Sequence, residues 1–406
     1  MRIIHTSDWH LGQYFFTKSR AAEHQHFLTW LVEQVKLHQV NAVIVAGDIF
    51  DTGSPPSYAR ELYNQFVVSL QQTGCQLVIL SGNHDSVSVL NETSSLLSYL
   101  NTDVVTSGTE HNVITLKNAQ GQPGALLCAI PFLRPRDIQI SVAGQNSEEK
   151  QLSLQTAISD YYQASYQLAK QQRESLGLDI PIIATGHLTV VGAEVSDSVR
   201  DIYIGTLDAF PSGAFPPADY IALGHIHRPQ IIGGQQNIRY CGSPIALSFD
   251  EANQQKSVCL VQFDGHSVSQ ITPLAIPIFQ PLQTIKGSLI DIQKQLAKLQ
   301  IAKESRPVWL DIEVASQDYI ADIQQRVESL IKDLPVEIVL LRRARKQQQG
   351  QQAATANETL NELTAEEVFL RRLAEESLDD KEKQQRLLLL FRQSYDALRS
   401  ELEGKS

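Results

Sequence analysis

The sequence predicts an α/β layered fold, followed by a small α+β unit and a helical tail. Short apolar runs rich in Val and Ile alternate with amphipathic stretches from Met1 to about Thr272. A second, shorter alternation runs from about Pro273 to Arg345, and a glutamine-rich stretch then precedes apolar residues at helical spacing. Strands that alternate with helices are typical of sheets covered by helices.

The first region, residues 1–272, predicts buried strands because its apolar runs are short and β-branched. Two stretches with apolar residues on one face predict helices, namely Ala22–His38 and the segment that follows Pro56. The predicted strands are Arg2–Thr6, Ala42–Ala46, Leu77–Leu80, Ala125–Ile130, Ile180–Ala184 and Tyr220–Leu223.

The second region, residues 273–345, predicts a small α+β domain with its own core. Ser288–Leu299 and Tyr319–Lys332 have helical periodicity, and Val308–Val314 and Val336–Leu341 have the pattern of strands.

The third region predicts a linker and a helical segment. Residues 346–362 are polar and rich in glutamine, which is typical of a flexible linker. Residues 363–406 carry a capping box at Thr364, followed by a helical stripe of apolar residues. This stripe either folds back on the main domain or docks on a partner protein, and the upstream linker favours the partner.

The composition excludes several classes of protein. A hydrophobic fraction of 42% and a charged fraction of 19% indicate a globular chain. The absence of a long apolar run and of a signal-peptide pattern predicts a cytoplasmic protein with no membrane association. Four cysteines that occur singly predict reduced core residues. The net charge of −11 weighs against nucleic-acid binding unless divalent cations neutralise an acidic site and basic residues cluster locally.

Five segments share one design, in which an apolar run ends in small residues and then in a side chain that can bind a metal. Each segment alone is weak evidence, because a lone buried histidine is usually a core residue. The carboxyl ends of neighbouring parallel strands meet at one edge of a sheet, so the five in series predict one site. The candidate ligands are Asp8, His10, Asp48, Asn83, His187, His225 and His227.

These ligand types predict the kind of metal. Oxygen and imidazole ligands without thiolates suit Mn²⁺, Fe²⁺ or Zn²⁺ and argue against a structural zinc site. Seven candidates exceed the needs of one ion. Two ions roughly 3.5–4 Å apart would share a bridging carboxylate.

The five motifs DxH, GDxxD, GNHD, GH and GHxH, in this order, resemble the calcineurin-like metallophosphoesterase superfamily. The closer resemblance is to SbcD, the bacterial nuclease family of double-strand-break repair. This resemblance is strong over residues 1–275 and looser beyond them. It implies a four-layer αββα sandwich with a small α+β capping domain and a C-terminal helical tail. The matching segments are DWHLGQ at Asp8, AGDIFDTGSPP at Gly47, LSGNHDS at Asn83, TGHLTV at His187, ALGHIHRPQ at His225 and CGSPIALSFDE at Cys241.

The resemblance implies a role for each candidate ligand. Two divalent ions, with Mn²⁺ expected, would share one carboxylate. The first ion would be held by Asp8, His10 and His227, the second by Asn83, His187 and His225, and Asp48 would bridge them.

Two further residues lie beside the candidate ligands in the sequence, and a role is expected for each. His84 resembles the residue that contacts the scissile phosphate, and it would stabilise developing charge or protonate the leaving oxygen. Archaeal and eukaryotic relatives carry a histidine where Asp51 stands. Asp51 either orients a ligand or caps the turn, and the sequence leaves both alternatives open.

The implied function is two-metal hydrolysis of DNA phosphodiesters in DNA repair, replication and recombination. It comprises ATP-dependent double-strand exonuclease activity and endonuclease activity on hairpins and single strands. The related phosphoprotein phosphatases usually carry an arginine after the second motif, but Thr52 and Gly53 stand there. The alternatives are a phosphodiesterase for cyclic nucleotides or another small diester, and an inactive scaffold for an ATPase.

The resemblance also implies partners. These are DNA, an SbcC-type ABC ATPase in a complex of two plus two subunits, and a second copy of the chain. The helical tail would bind the ATPase, and Tyr58–Leu70 and Leu90–Leu100 are the candidate dimer helices. Arg342, Arg343 and Arg345 form a basic run that either contacts DNA phosphates or is a solvated strand end.

Overall fold

The computed structural model describes residues 1–138, 146–200, 202, 207, 209–299, 306–315, 323–332 and 334–344. The predicted linker at 346–362 and the predicted helical segment at 363–406 lie outside these residues.

The strands are distributed over the whole described chain. They are β1 (Arg2–Thr6), β2 (Tyr14–Phe15), β3 (Lys18–Ser19), β4 (Ala42–Ala46), β5 (Gln76–Leu80), β6 (Thr102–Val105), β7 (Val113–Lys117), β8 (Pro123–Cys128), β9 (Ile182–His187), β10 (Tyr220–Gly224), β11 (Gln230–Ile232), β12 (Gln235–Tyr240), β13 (Ser257–Asp264), β14 (Ser267–Ala275), β15 (Leu282–Gly287), β16 (Val308–Val314) and β17 (Val336–Arg343).

The helices differ widely in length. They are α1 (Ala21–His38), α2 (Ser57–Gln71), α3 (Val87–Asn91), α4 (Ser94–Ser98), α5 (Pro135–Ile138), α6 (Ser147–Leu176), α7 (Leu289–Leu296) and α8 (Ile323–Ile331). Two short 3₁₀ turns cover Ser212–Ala214 and Phe249–Glu251. None of the helices in the described residues is both long and apolar enough to cross a bilayer.

Two six-stranded sheets form the centre of the molecule. The first has the order β14-β13-β1-β4-β5-β6, and the second has the order β11-β12-β10-β9-β8-β7. Strands β1, β4, β5 and β6 are parallel to one another, as are β8, β9, β10 and β12. The central strands are therefore buried on both faces, as their continuous apolar runs predict.

Alternate side chains of each strand form the inner core between the sheets. Ile44 and Leu80 from the first sheet pack there with Ile183 and Ala222 from the second. The remaining side chains face outward, toward α1 and α2 on one side and α6 on the other. The result is the four-layer αββα arrangement that the resemblance implies.

Helix α6 is a large element that the apolar pattern did not predict. Its start carries a capping box between Asn146 and Glu149, and it ends at Gly177, whose φ of 64° lies in the left-handed region. Leu154 and Ile158 on this helix are buried against the second sheet. The polar residues around these positions weaken the periodic signal, although both caps are visible in the sequence.

Strand β14 continues past the predicted domain boundary at residue 272. It pairs with β13 as far as Ala275, which lies opposite Ser257. The residues from 273 to 275 belong to the first sheet, because they lie opposite residues 257 to 259 of β13.

The small unit consists of the parallel sheet β15-β16-β17 with helices α7 and α8. Ile292 and Val327 from the two helices pack against Leu310 of the central strand, and all three are fully buried. Trp309 stacks on Phe15 of the β2–β3 hairpin, with ring centroids 5.9 Å apart. The small unit therefore has its own core and contacts the two-sheet domain beside the segment that follows β1.

The four cysteines are free and buried, as predicted.

Candidate metal centre

The predicted ligands converge where five strands end at one rim of the two sheets. Strands β1, β4 and β5 deliver ligands from the first sheet, and β9 and β10 deliver them from the second. Hydrogen bonds that use backbone groups help to join the sheets at this rim. His225 N–H donates to Oδ1 of Asp8 at 2.9 Å, and Nδ1 of His187 lies 2.9 Å from the carbonyl oxygen of Ala46.

Distances divide the ligand atoms into overlapping clusters. Within each cluster, one ligand atom per residue lies within 4.8 Å of the others. The clusters are Asp8 with His10 and His227, Asp48 with His187 and His225, and His10 with Asp48 and His84. The first two clusters therefore bring six of the seven predicted ligands together.

Asn83 contacts two residues of the second cluster. Its Oδ1 lies 2.9 Å from Nε2 of His187 and 3.2 Å from Nδ1 of His225. Nε2 of His187 also lies 3.2 Å from Oδ2 of Asp48. All seven predicted ligands therefore lie in one connected group.

Two buried imidazole nitrogens show that this group fits a metal. Nε2 of His10 and Nε2 of His225 are buried and have no hydrogen-bond partner among the described residues. Leaving such an atom unsatisfied costs about 1–3 kcal/mol. Nε2 of His10 lies 3.6 Å from Oδ2 of Asp48, so a carboxylate stands opposite this nitrogen. Divalent cations accept this combination of oxygen and nitrogen donors.

The electrostatics of the group favour positive charge. Burial opposes ionisation of Asp48, but the neighbouring His187 and His10 outweigh this effect and hold the pKa of Asp48 well below its usual range. Burial likewise opposes protonation of His187, but the Asp48 carboxylate raises the pKa of His187 to about 9. Protons thus balance the negative charge of Asp48, and a divalent cation would take their place.

The backbone holds four of the ligands in strained conformations. Asp8, His10, Asp48 and His225 have positive φ angles of 55°, 47°, 51° and 94°. Such conformations are uncommon outside glycine and persist only where the surrounding structure enforces them. The amide of Asp8 donates to Gly47 O and the amide of His10 donates to Asp48 O, each at 3.0 Å. Backbone contacts therefore set the directions of these side chains.

Glycines allow the two sheets to approach each other at the rim. A Cβ added to Gly47 would lie 2.1 Å from Nδ1 of His187. A Cβ added to Gly224 would lie 1.9 Å from the carbonyl oxygen of Ala46. Both distances are impossible for real atoms, so the ligands of both sheets can meet only because these positions lack side chains.

Several histidines have their second ring nitrogen held by a protein acceptor. Nδ1 of His10 lies 3.1 Å from Oδ1 of Asp51, and Nδ1 of His227 lies 2.6 Å from Oγ of Ser198. Such contacts orient a ligand ring and fix its tautomer. Of the two alternatives for Asp51, the contact with His10 supports ligand orientation.

His84 lies beside the ligands. One of its ring nitrogens belongs to the cluster with His10 and Asp48. Its Nδ1 lies 2.7 Å from the carbonyl oxygen of Asp51, and its backbone N–H donates to Oδ1 of Asp48 at 2.9 Å. A carbonyl oxygen only accepts, so Nδ1 carries a proton and Nε2 is the nitrogen available for chemistry.

Asp85 is a structural residue of the site that the sequence reasoning left without a role. Its buried carboxylate accepts backbone N–H groups from Ile49, Phe50 and Gly82 at 3.1, 2.9 and 2.8 Å. Burial, and then repulsion from Asp48, raises the pKa of Asp85 to about 6. Its position directly after His84 in the GNHD motif was the available signal.

The predicted basic run is only partly described. Arg342 donates to both oxygens of the buried Asp311, at 3.0 and 2.6 Å. Arg343 is the last residue of β17 and is exposed. Arg345 lies outside the described residues.

Comparisons with known proteins agree with this geometry. Residues 1–229 match the calcineurin-like phosphoesterase family, and residues 278–377 match a family described as the type 5 capsule protein repressor C-terminal domain. The chain is 57% identical to the SbcD subunit of the SbcCD nuclease of Escherichia coli K12 over the full length of both chains. It is 30% identical to the same subunit from Rhodobacter capsulatus over 91% of this chain and 93% of that one. The Bacillus subtilis relative is also 30% identical, over 79% of this chain and 81% of its own.

Proposed function

The chain belongs to the SbcD family of nuclease subunits within the calcineurin-like phosphoesterases, and from this we propose that it hydrolyses DNA phosphodiesters with two divalent ions. One observation carries the proposal. Ligands from both sheets converge at one rim, where two buried imidazole nitrogens have no partner among the described residues. Mn²⁺ is the metal that the family resemblance implies, and oxygen and imidazole donors without thiolates suit it as they suit Fe²⁺ and Zn²⁺.

Two metal positions account for the seven ligands. Asp48 lies between the clusters and would bridge them. The positions would be formed by Asp8, His10 and His227, and by Asn83, His187 and His225. Bound there, the two ions supply Lewis-acid polarisation of the phosphoryl oxygens and a water molecule acidic enough to be the nucleophile.

The protein itself supplies proton transfer at His84. Nδ1 of His84 is fixed by the carbonyl oxygen of Asp51, so Nε2 is the atom that gains or loses a proton. Burial lowers the pKa of His84, and attraction to Asp48 offsets only part of this effect. An approaching phosphate anion favours the imidazolium form. His84 would then stabilise charge on the phosphate, and its Nε2 would donate the proton to the leaving sugar oxygen.

The small unit is proposed to orient DNA beside this centre. A cleft of about 640 Å³ is lined by Asp311 and Arg342 of the small unit and by Ser198, which contacts His227. We therefore propose that the part of residues 273–345 that follows β14 is a capping domain. Arg342, Arg343 and Arg345 are its proposed phosphate contacts, although Arg342 must share its charge with Asp311. Replacing all three with alanine should flatten the decrease of DNA affinity with rising salt.

We propose that the chain acts with protein partners. Residues 363–406, joined by the linker at 346–362, would bind an SbcC-type ABC ATPase by burying a helical stripe in a groove. A second copy of the chain would pack on α2 to α4, where Val68, Leu96 and Tyr99 are 50%, 62% and 87% exposed. The expected assembly contains two nuclease and two ATPase subunits.

Within this complex the chain is proposed to act in the cytoplasm in DNA repair, replication and recombination. The expected activities are ATP-dependent exonuclease action on double strands and endonuclease action on hairpins and single strands. Asp51 is followed by Thr52 and Gly53, so the arginine that related phosphatases usually carry at this place in the sequence is not there.

A cleavage assay tests the proposal. The purified full chain with Mn²⁺, alone and with its ATPase, is incubated with hairpin DNA and with a small chromogenic phosphodiester. Cleavage of hairpin DNA is expected, and Asp48→Asn should abolish it together with metal binding, whereas the exposed Asp264→Asn should change neither. Cleavage of the small diester alone would indicate a small-molecule phosphodiesterase, and no cleavage of either substrate would indicate a scaffold.

A further inference from the structure

His227 is held by a side-chain relay that leads away from the metal centre. Its Nδ1 lies 2.6 Å from Oγ of Ser198, and the same hydroxyl donates to Oε1 of Glu251. Since an ionised carboxylate only accepts, the Ser198 proton points to Glu251 and the Ser198 oxygen accepts from His227. This direction places the ring proton of His227 on Nδ1 and leaves Nε2 free to bind a metal.

Glu251 is itself firmly fixed. Its side chain is fully buried and accepts from Nζ of Lys256 at 2.6 Å, the amide of Leu247 at 3.0 Å and Oγ of Ser196 at 2.7 Å. The contact between Glu251 and Lys256 is a buried ion pair. The acceptor at the end of the relay is therefore held in one position.

Lys256 acts on the backbone of the same histidine. Its buried Nζ donates to His227 O at 2.9 Å, to Ser243 Oγ at 3.0 Å and to Glu251. These contacts use all three donors of the ammonium group. A buried ion pair is weak evidence for stability, because desolvation offsets much of the attraction. Holding the ring and the backbone of His227 at once is a role that an apolar pair could not fill.

We infer that Glu251 and Lys256 are positioning residues for the metal position formed by Asp8, His10 and His227. The inference rests on the proposed two-metal function and gives a role to the CGSPIALSFDE segment at Cys241. The other metal position is built differently, because Nδ1 of His187 is held by the backbone carbonyl of Ala46. Disturbing the relay should therefore weaken one of the two metal sites and spare the other.

Metal titration of the full-length chain tests the inference. Metal-free protein is titrated with Mn²⁺ by calorimetry, and bound metal is counted by mass spectrometry. Ser198→Ala removes the hydroxyl bridge and leaves the Glu251–Lys256 pair in place. It should weaken one binding event about 10- to 100-fold, the usual effect of losing a residue that orients a ligand. The second event should be unchanged.

Two variants provide matched controls. Ser159→Ala removes a partly buried hydroxyl on α6 that bonds Ala214 O and is not one of the groups of the relay, and should keep both affinities within about twofold. Ser198→Thr retains a hydroxyl and should restore the affinity that Ser198→Ala loses. Glu251→Gln should reproduce the loss in Ser198→Ala, and if it fails to fold, the serine variants still decide the question.

The outcomes separate the inference from the function on which it rests. If Ser198→Ala weakened Mn²⁺ binding equally at both sites, or kept both parental affinities, the positioning role would be wrong. The proposed metal centre would still stand. Failure of the parent chain to bind Mn²⁺ would instead overturn the proposed function.

Discussion

The two-sheet domain and the small unit bury polar side chains in different ways. At the rim of the two sheets, buried carboxylates and imidazoles crowd together, and four of these residues have positive φ angles. In the described part of the small unit (residues 282–299, 306–315, 323–332 and 334–343), Asp311 is the buried charged side chain. It is neutralised by Arg342 from the neighbouring strand. The rim thus contains strained backbone and buried nitrogens without hydrogen-bond partners among the described residues. In the described part of the small unit, the buried charge is paired.

This difference shows where the chain gives up stability for function. Unpaired imidazole nitrogens and left-handed backbone both oppose folding, and they coincide with the candidate ligands. The small unit follows the ordinary rules of apolar burial, with Ile292 and Val327 packed on its sheet. Substitutions in the two regions should therefore differ in kind.

The largest effect is expected at the rim from His84→Ala. Cleavage of hairpin DNA should decrease about 10²- to 10⁴-fold, the usual contribution of a positioned acid or base. Metal content should stay near the parental value, because the seven ligands remain. The exposed His111, which bonds Ser165 on α6, provides the control His111→Ala. Loss of both metals in His84→Ala would show that His84 is a ligand, as its distance from His10 and Asp48 allows.

Gly224→Ala should separate the two sheets. The new methyl group would overlap Ala46 O, so the free energy of unfolding should decrease by about 3 kcal/mol, at the upper end for overpacking. Metal affinity should decrease as well, since ligands on both sheets move apart. Gly213→Ala adds a methyl group with no atom within 4 Å and should leave unfolding and metal binding unchanged. Denaturant unfolding with and without Mn²⁺ measures both properties, and equal behaviour of the two variants would refute the close-approach argument.

The buried His5 predicts a dependence of stability on pH in the two-sheet domain. Burial lowers the pKa of His5 to about 3, while its two ring nitrogens bond Tyr220 Oη and Leu223 O. In the unfolded chain a histidine titrates near 6.5, so the unfolded state takes up the proton first as the pH falls. Stability is therefore full above about pH 6.5 and decreases below it, by about 2 kcal/mol at pH 5.

The His5 prediction is measured as a difference between variants. Unfolding of metal-free protein is followed at pH 8 and pH 5, and His5→Gln should lose about 2 kcal/mol of the parental change. The exposed His26→Gln should retain it. If His5→Gln kept the parental change in unfolding free energy between pH 8 and pH 5, the pH dependence would come from other groups.

The smallest effect is expected in the small unit. Asp311→Asn removes the charge that Arg342 neutralises, and since the Arg342 side chain is 48% exposed, the loss should be only about 1 kcal/mol of unfolding free energy. Mn²⁺ affinity should not change, because Asp311 touches none of the ligands. A change in metal binding would show that the small unit and the rim are coupled. The two regions would then not respond independently to substitution.

Much of the fold was predictable because its signals are local. The predicted strands Arg2–Thr6 and Ala42–Ala46 have the same bounds in the structure, and α1 begins one residue before the predicted helix Ala22–His38. Helix α6 was not predicted, because polar residues obscure its buried face. Strands β11 and β12 were also missed, because β11 has only three residues and β12 is mostly polar.

The sequence by itself determined which side chains can bind a metal, and their order after apolar strands. It did so because strand-forming runs and ligand types depend on residues close together in the chain. Only the tertiary structure decided how these ligands are held. The approach of Gly224 to Ala46 and the relay from His227 through Ser198 to Glu251 join segments far apart in sequence. Such contacts depend on how the two sheets pack, which no local pattern encodes.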